Sequence, residues 1–121
     1  MIEMIKLQRS RCSILPLVLK GKWFDMIERG EKREEYRAIK PYWNKRLKVW
    51  KWQEPDEQLY WIVAFSRGYK KSSLFYEVAE VGERDWAGHL EWGEPPTPHY
   101  VIKLGRRVEL ADSESTGAPS K

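Results

Sequence analysis

The chain has 121 residues, 41% of them hydrophobic and 33% charged, and a formal net charge of +4. That length holds one hydrophobic core and is too short for two, so a single domain is expected. No apolar run approaches the roughly 18 residues of a membrane helix, and the opening Met-Ile-Glu-Met-Ile-Lys lacks the apolar stretch of a secretory signal, so a cytoplasmic protein with no membrane partner is expected.

Cys12 stands alone, which excludes an internal disulfide framework. With only His89 and His99 beside it there is no zinc ligand set, and neither a metal nor a cofactor is expected. Charge is distributed unevenly: residues 1–50 hold 13 Lys and Arg against 6 Asp and Glu, a balance of +7, while residues 51–121 hold 9 against 12, a balance of −3. Seven Trp interleave with the basic residues. Aromatic rings that stack on bases, among cations that neutralise phosphates, are what a single-stranded nucleic-acid surface requires. In a small β domain Trp is equally ordinary core material.

In chain order, residues 1–13 carry Lys6, Arg9 and Arg11 with little apolar periodicity and read as a basic lead-in. Ile14 to Lys20 is a short apolar run whose Pro16 cannot donate to a central ladder, which predicts a strand at an edge or a bulge. Trp23, Phe24, Met26 and Ile27 recur at helical spacing, so a short amphipathic helix is predicted over Lys22 to Arg29, with Gly30 as the left-handed residue past its end. Beyond it Lys32, Glu34 and Tyr36 alternate with Arg33, Glu35 and Arg37, a strand pattern that puts Glu35 and Arg37 on one face. Lys32, near the turn, can swing toward either face.

Pro41 suits the first position of a second helix in which Trp43, Leu47 and Trp50 share a face opposite Tyr42, Lys45, Arg46 and Lys48. Lys48 to Trp52 also fits a strand, and periodicity does not choose between the two. Leu59 to Phe65 is the strongest buried-strand signal and predicts a central strand. The basic stretch Ser66 to Ser72, carrying Tyr69, predicts a hairpin loop to a strand from Leu74 to Val81. Six Gly and Pro residues between 82 and 98 predict a long loop anchored by Trp86 and Trp92. Tyr100 to Leu104 is the closing strand, with a continuation through Arg106 to Leu110 left open, and residues 111–121 hold no large apolar side chain and predict a flexible tail.

The spacing Gly30, Lys32, Glu35, Arg37 resembles the G-x-K-x-x-E-x-R motif of ASCH domains, the activating-signal-cointegrator homology family. The helix before the motif and the late strand ending at Gly105 are similar to that family too, so the resemblance covers residues 14–110, flanked by the lead-in and the tail. It implies an α+β fold: a small PUA-like β-barrel of five or six strands with two or three short helices. It also implies a basic cleft that binds RNA or a nucleotide, with Lys32, Arg33, Glu35, Arg37, Lys40, Lys45 and Tyr69 as candidate ligand contacts and Gly30 as a structural residue.

Two other functions compete with binding. Some ASCH-like proteins hydrolyse acetylated cytidine nucleosides with a Lys, a Thr and a Glu, and others are linked to RNA cleavage. The resemblance then makes Lys32 and Glu35 the catalytic pair, although Glu35 stands where those enzymes carry the threonine, and Glu77 or Glu80 would supply the further acid. A Lys whose pKa is lowered by burial can serve as a base beside a carboxylate that relays the proton. Ser66, Ser72 and Ser73 are candidate replacement hydroxyls, and His89 and His99 candidate acid-base groups. The other competing function is a protein-interaction module, which calls for an exposed apolar patch in place of a charged groove. Against all of these stands a purely structural reading, in which Glu35 and Arg37 form a strand-face ion pair and Lys32 is solvated.

Overall fold

The computed structural model describes residues 4–52, 59–85 and 88–111, with side chains for all of these except 48–52. The protein is a small α+β fold with a six-stranded mixed sheet and two α-helices. The elements are β1 (Met4–Gln8), a 3-10 turn at Arg9–Arg11, β2 (Cys12–Leu19), α1 (Gly21–Glu28), β3 (Glu34–Ala38), α2 (Pro41–Trp52), β4 (Tyr60–Arg67), β5 (Leu74–Arg84), a 3-10 turn at Leu90–Trp92, and β6 (His99–Ala111).

Along the sheet the order is β1-β6-β5-β4-β2, and β3 lies on the edge of β6 that β1 also uses. That sharing is possible because β6 spans 13 residues: β3 pairs with its first part in an antiparallel ladder and β1 with its last part in a parallel one. The stretch read as a basic lead-in is therefore half strand. Its alternation of half-buried Ile5 and Leu7 with exposed neighbours is the period of two that five residues display only weakly.

A sheet with this connectivity cannot be flat. Four strand spacings of roughly 4.8 Å would hold β1 and β2 about 19 Å apart, whereas the four Cα steps from Gln8 to Cys12 span at most about 15 Å. Two register irregularities in β5, between Tyr76 and Glu80, bend that strand and add twist. The ends of the sheet thus approach each other. Among the described residues no ladder joins β2 to β3 or β1, so a seam is left between them.

Pro16 marks that seam. β2 pairs only with β4, so it is an edge strand as its proline predicts. Leu15, Leu17 and Leu19 point into the core, where they meet Val63 and Phe65 of β4, Phe24 and Ile27 of α1, Leu47 of α2, and Tyr100, Ile102 and Leu104 of β6. Each such side chain contributes on the order of 1.5–3 kcal/mol by leaving water. Tyr76 donates to the Ile27 carbonyl at 2.9 Å and Tyr100 to Asn44 Oδ1 at 2.5 Å, tying both helices to the sheet.

Local chemistry accounts for the helix ends. Gly30 has φ 82°, its N–H meets the Ile27 carbonyl at 3.0 Å, and the Glu31 N–H reaches back to Met26 at 2.9 Å, the paired bonds of a Schellman stop. The Lys32 N–H also reaches Met26, at 3.2 Å, so Lys32 still belongs to the turn and β3 begins two residues later than the alternation predicts. Pro41 opens α2, which continues through Lys48–Trp52, so the strand alternative for that stretch is excluded. The predicted anchor Trp86 and the tail from Asp112 onward lie outside the described residues.

Candidate functional site

The seam holds a cleft of about 570 Å³. Pro16, Val18 and Lys20 form one wall and β3 residues Glu35 to Ala38 the facing one. Trp23 of α1, Tyr42 and Trp43 of α2, and Trp92 with Gly93 of the loop before β6 complete it. These aromatics are half-buried, apart from Tyr42, which is 56% exposed.

Charge is concentrated beside this cleft. Strand alternation puts Glu35 and Arg37 on its side of β3, and the turn after Gly30 folds Lys32 in behind them. Lys32 Nζ donates to Glu35 Oε1 at 2.6 Å and to the Glu34 carbonyl. Arg37 Nη1 donates to Glu35 Oε2 and to the Tyr36 carbonyl, and its Nη2 crosses the seam to the Val18 carbonyl at 3.2 Å. Lys32 is 1% exposed and Glu35 6%, so the Coulomb terms here act at low dielectric.

Burial pushes the Lys32 ammonium below the ordinary lysine range, and Glu35 pulls it part of the way back. The rings of Tyr36 and Trp23 lie 4.8 and 5.8 Å from Nζ and supply cation–π stabilisation. Two cations share one carboxylate, so the group carries a net positive charge toward the cleft.

A second polar network is built on the alternate residues of β3, Glu34 and Tyr36. Glu34 Oε1 accepts from the Tyr36 hydroxyl at 3.0 Å and from Arg84 Nη2 at 2.8 Å. Burial raises the Glu34 carboxyl, but these two hydrogen bonds together with the nearby positive charge of Arg84 hold the group below its usual range. The Tyr36 hydroxyl is pushed well above its ordinary value by burial and by Glu34. Arg84 also reaches Glu94 Oε2 at 2.7 Å, where His99 Nε2 lies 2.9 Å away. Glu94 Oε1 takes the His89 N–H at 3.0 Å, and His99 Nδ1 lies 2.6 Å from the Thr97 carbonyl. Glu94 has a wholly buried side chain and pins the loop carrying Trp92 and Gly93 against the sheet. That loop has no slack at Gly93: φ is 78°, and a Cβ there would sit 2.6 Å from the Trp23 ring.

Of the residues singled out in the sequence, Lys32, Glu35 and Arg37 come together, and Gly30 is the cap that sets them. Arg33 is exposed, and its carbonyl accepts from the Leu104 N–H at 3.1 Å. Lys40 and Lys45 are exposed beside the α2 wall without lining the cleft, and Tyr69 stands on the β4–β5 hairpin tip, outside it. Glu77 pairs with Arg106 at 2.7 Å and Glu80 with Lys103 at 3.7 Å, and neither lines the cleft, because the irregularities in β5 aim them at β6 partners. The Ser66 hydroxyl donates to the Gly68 carbonyl at 3.0 Å, and neither Ser72 nor Ser73 lines the cleft. His89 stacks on Trp92, while His99 lines the cleft.

Sequence reasoning missed Glu34, Arg84 and Glu94. They come from three separate segments, and a single acid inside a Gly- and Pro-rich loop has no periodicity to mark it. Among the described residues no group of three His, Cys, Asp or Glu side chains is placed to hold a metal ion, and no helix is long and apolar enough to cross a membrane. Comparison with protein-family models, with curated proteins and with solved structures finds no match.

Proposed function

We propose that the cleft binds a nucleotide, either free or as an unpaired residue of RNA, and that the curled sheet is an ASCH-type, PUA-like barrel opened at the β2–β3 seam. The observation that carries this reading is the pairing of aromatic walls, Trp23, Tyr42, Trp43 and Trp92, with a net-positive buried group of Lys32, Glu35 and Arg37. Flat rings stack on a base, and the Arg37 guanidinium, 5.2 Å from the Trp43 ring and held by three acceptors, is a preorganised cation for a phosphate. The test is tryptophan fluorescence during titration with uridine and cytidine monophosphates. Binding should quench it, and Arg37→Ala should weaken that binding about tenfold, the loss of one charge-assisted contact of roughly 1.5 kcal/mol. No quenching, or an undiminished affinity in Arg37→Ala, would sink the reading.

A hydrolase reading is favoured by one observation, the lowered pKa of a lysine that donates to a buried carboxylate. In that version Glu35 relays the proton that Lys32 takes up, and the substrate is an acetylated cytidine nucleoside or an RNA phosphodiester. Lys32→Ala and Glu35→Gln would then each lower turnover by about 10² to 10⁴ with little change in affinity, and the losses would be non-additive. If the cleft only binds, wild type turns over neither substrate, Lys32→Ala weakens an anionic ligand, and Glu35→Gln leaves its affinity unchanged or raises it.

A further inference from the structure

Resting on the nucleotide reading of the cleft, we propose that the ligand is a single strand of nucleic acid several nucleotides long, which leaves the cleft over the β4–β5 hairpin tip. There a base stacks on Tyr69 while phosphates meet Lys70 and Lys71.

The hairpin is fastened to the cleft wall. The Gly68 N–H donates to the Leu19 carbonyl at 2.7 Å, and Leu19 and Lys20 both line the cleft. Arg67 bonds Asp25 of α1 at 3.1 and 3.2 Å, and its guanidinium lies so close to Gly21 that a Cβ there would sit 2.6 Å away. Ser66 Oγ donates to the Gly68 carbonyl, and the Ser73 N–H meets the Phe65 carbonyl, both at 3.0 Å. The base of the tip is thereby held, and Gly68 at φ 66° turns the chain outward.

On this fixed support Tyr69 is 98% exposed, so its ring serves no packing function in the protein itself. An aromatic held out on an anchored tip is available for stacking, with the backbone share of the ordering cost at its base already met. The charges agree. Asp25 neutralises Arg67, but Lys20, Lys70 and Lys71 pair with no carboxylate among the described residues. The path from the cleft through Lys20 to the tip therefore presents cations with no carboxylate partner among the described residues, whereas Lys103 on β6 faces Glu80. A membrane surface would call for more apolar area than one tyrosine supplies.

The experiment measures fluorescence anisotropy of labelled oligouridylates, with uridine monophosphate as competitor and oligothymidylates of equal length as a second arm. An oligomer of about nine nucleotides, within the usual site sizes, should bind more tightly than the mononucleotide. Tyr69→Ala should weaken the oligomer roughly tenfold and leave the mononucleotide unchanged, and Tyr69→Trp should restore the difference. Lys70→Ala with Lys71→Ala should make the salt dependence shallower by about 0.7 per cation. Equal binding of the ribose and deoxyribose oligomers supports recognition by stacking and phosphate alone, and a ribose preference supports RNA as the ligand. If mononucleotide and oligomer bind equally, or Tyr69→Ala spares the oligomer, this proposal is overturned while the cleft stands. If neither ligand binds, both readings fall.

Discussion

β3 carries members of two buried charge clusters of opposite construction. On the cleft side, Lys32, Glu35 and Arg37 lie within six residues of one another and carry more positive than negative charge. In the other, Glu34, Arg84, Glu94 and His99 come from three distant segments and lock a loop to the sheet. The first cluster has a face toward the cleft and residual charge to offer a ligand. Hydrogen bonds of the second run between its own members, to the Tyr36 hydroxyl and to loop backbone, and they hold Trp92 and Gly93 in position. On the binding reading proposed above, the first group meets the ligand and the second holds the wall it is met against.

The sharpest way to break this comparison is Glu94→Ala. It would leave Arg84 short of a partner and strip the acceptor from His99 Nε2 and the His89 N–H, all around a buried site. Breaking a buried charged network by removing one member costs about 3–5 kcal/mol, so urea unfolding should show a loss of that size. A loss below about 1 kcal/mol, the scale of a surface pair, would mean the loop is held by other contacts.

Gly93→Ala tests the wall itself. The left-handed backbone and the clash with Trp23 together predict roughly 1–3 kcal/mol of destabilisation, accompanied by weaker nucleotide binding as Trp23 shifts. Unchanged fluorescence titrations in a folded Gly93→Ala protein would separate the loop from the cleft's function. Gly30→Val addresses the other cluster through its cap: a β-branched residue at φ 82° should cost roughly 1–2 kcal/mol and displace Lys32, so a thermal melt identical to wild type would contradict the capping role.

Lys32→Met should matter less to stability. Glu35 keeps Arg37 as a partner and no charge is stranded, so a change of about 1 kcal/mol or less is expected by analogy with apolar replacement of buried ions. A loss as large as that of Glu94→Ala would erase the distinction between the clusters.

The smallest effect is one of pH. Burial lowers the Lys32 pKa in the folded state, so between that value and roughly 10.4 the unfolded chain binds more protons than the folded one. The stability carried by Lys32 therefore rises with pH across that window. The raised Tyr36 hydroxyl works the other way, but only above about 10, where the unfolded tyrosine ionises. Unfolding free energies measured from neutral pH to 10 should grow for wild type relative to Lys32→Met, and a gap that shrinks with pH would contradict the burial.

Much of the cleft-side cluster was legible in the chain alone, because each of its determinants is short-range. A glycine that adopts positive φ cheaply ends α1, an alternation of two puts Glu35 beside Arg37, and Pro16 cannot sit inside a ladder. A proline at its first position likewise opens α2. These are preferences of a few bonded neighbours, and they hold in any surroundings. Only the tertiary structure decided that Lys32 is buried, since six residues of sequence do not reveal what will cover them. It also decided that β1 joins β6, that Glu77 and Glu80 turn toward β6 while Glu94 meets Arg84 and His99, and that Trp23, Trp43 and Trp92 line a cleft. Each of these is set by the curl of the sheet, which brings its two ends within reach of one side chain, Arg37 to Val18. That curl sums twist and register over all the strands, so no single stretch of the sequence carries it.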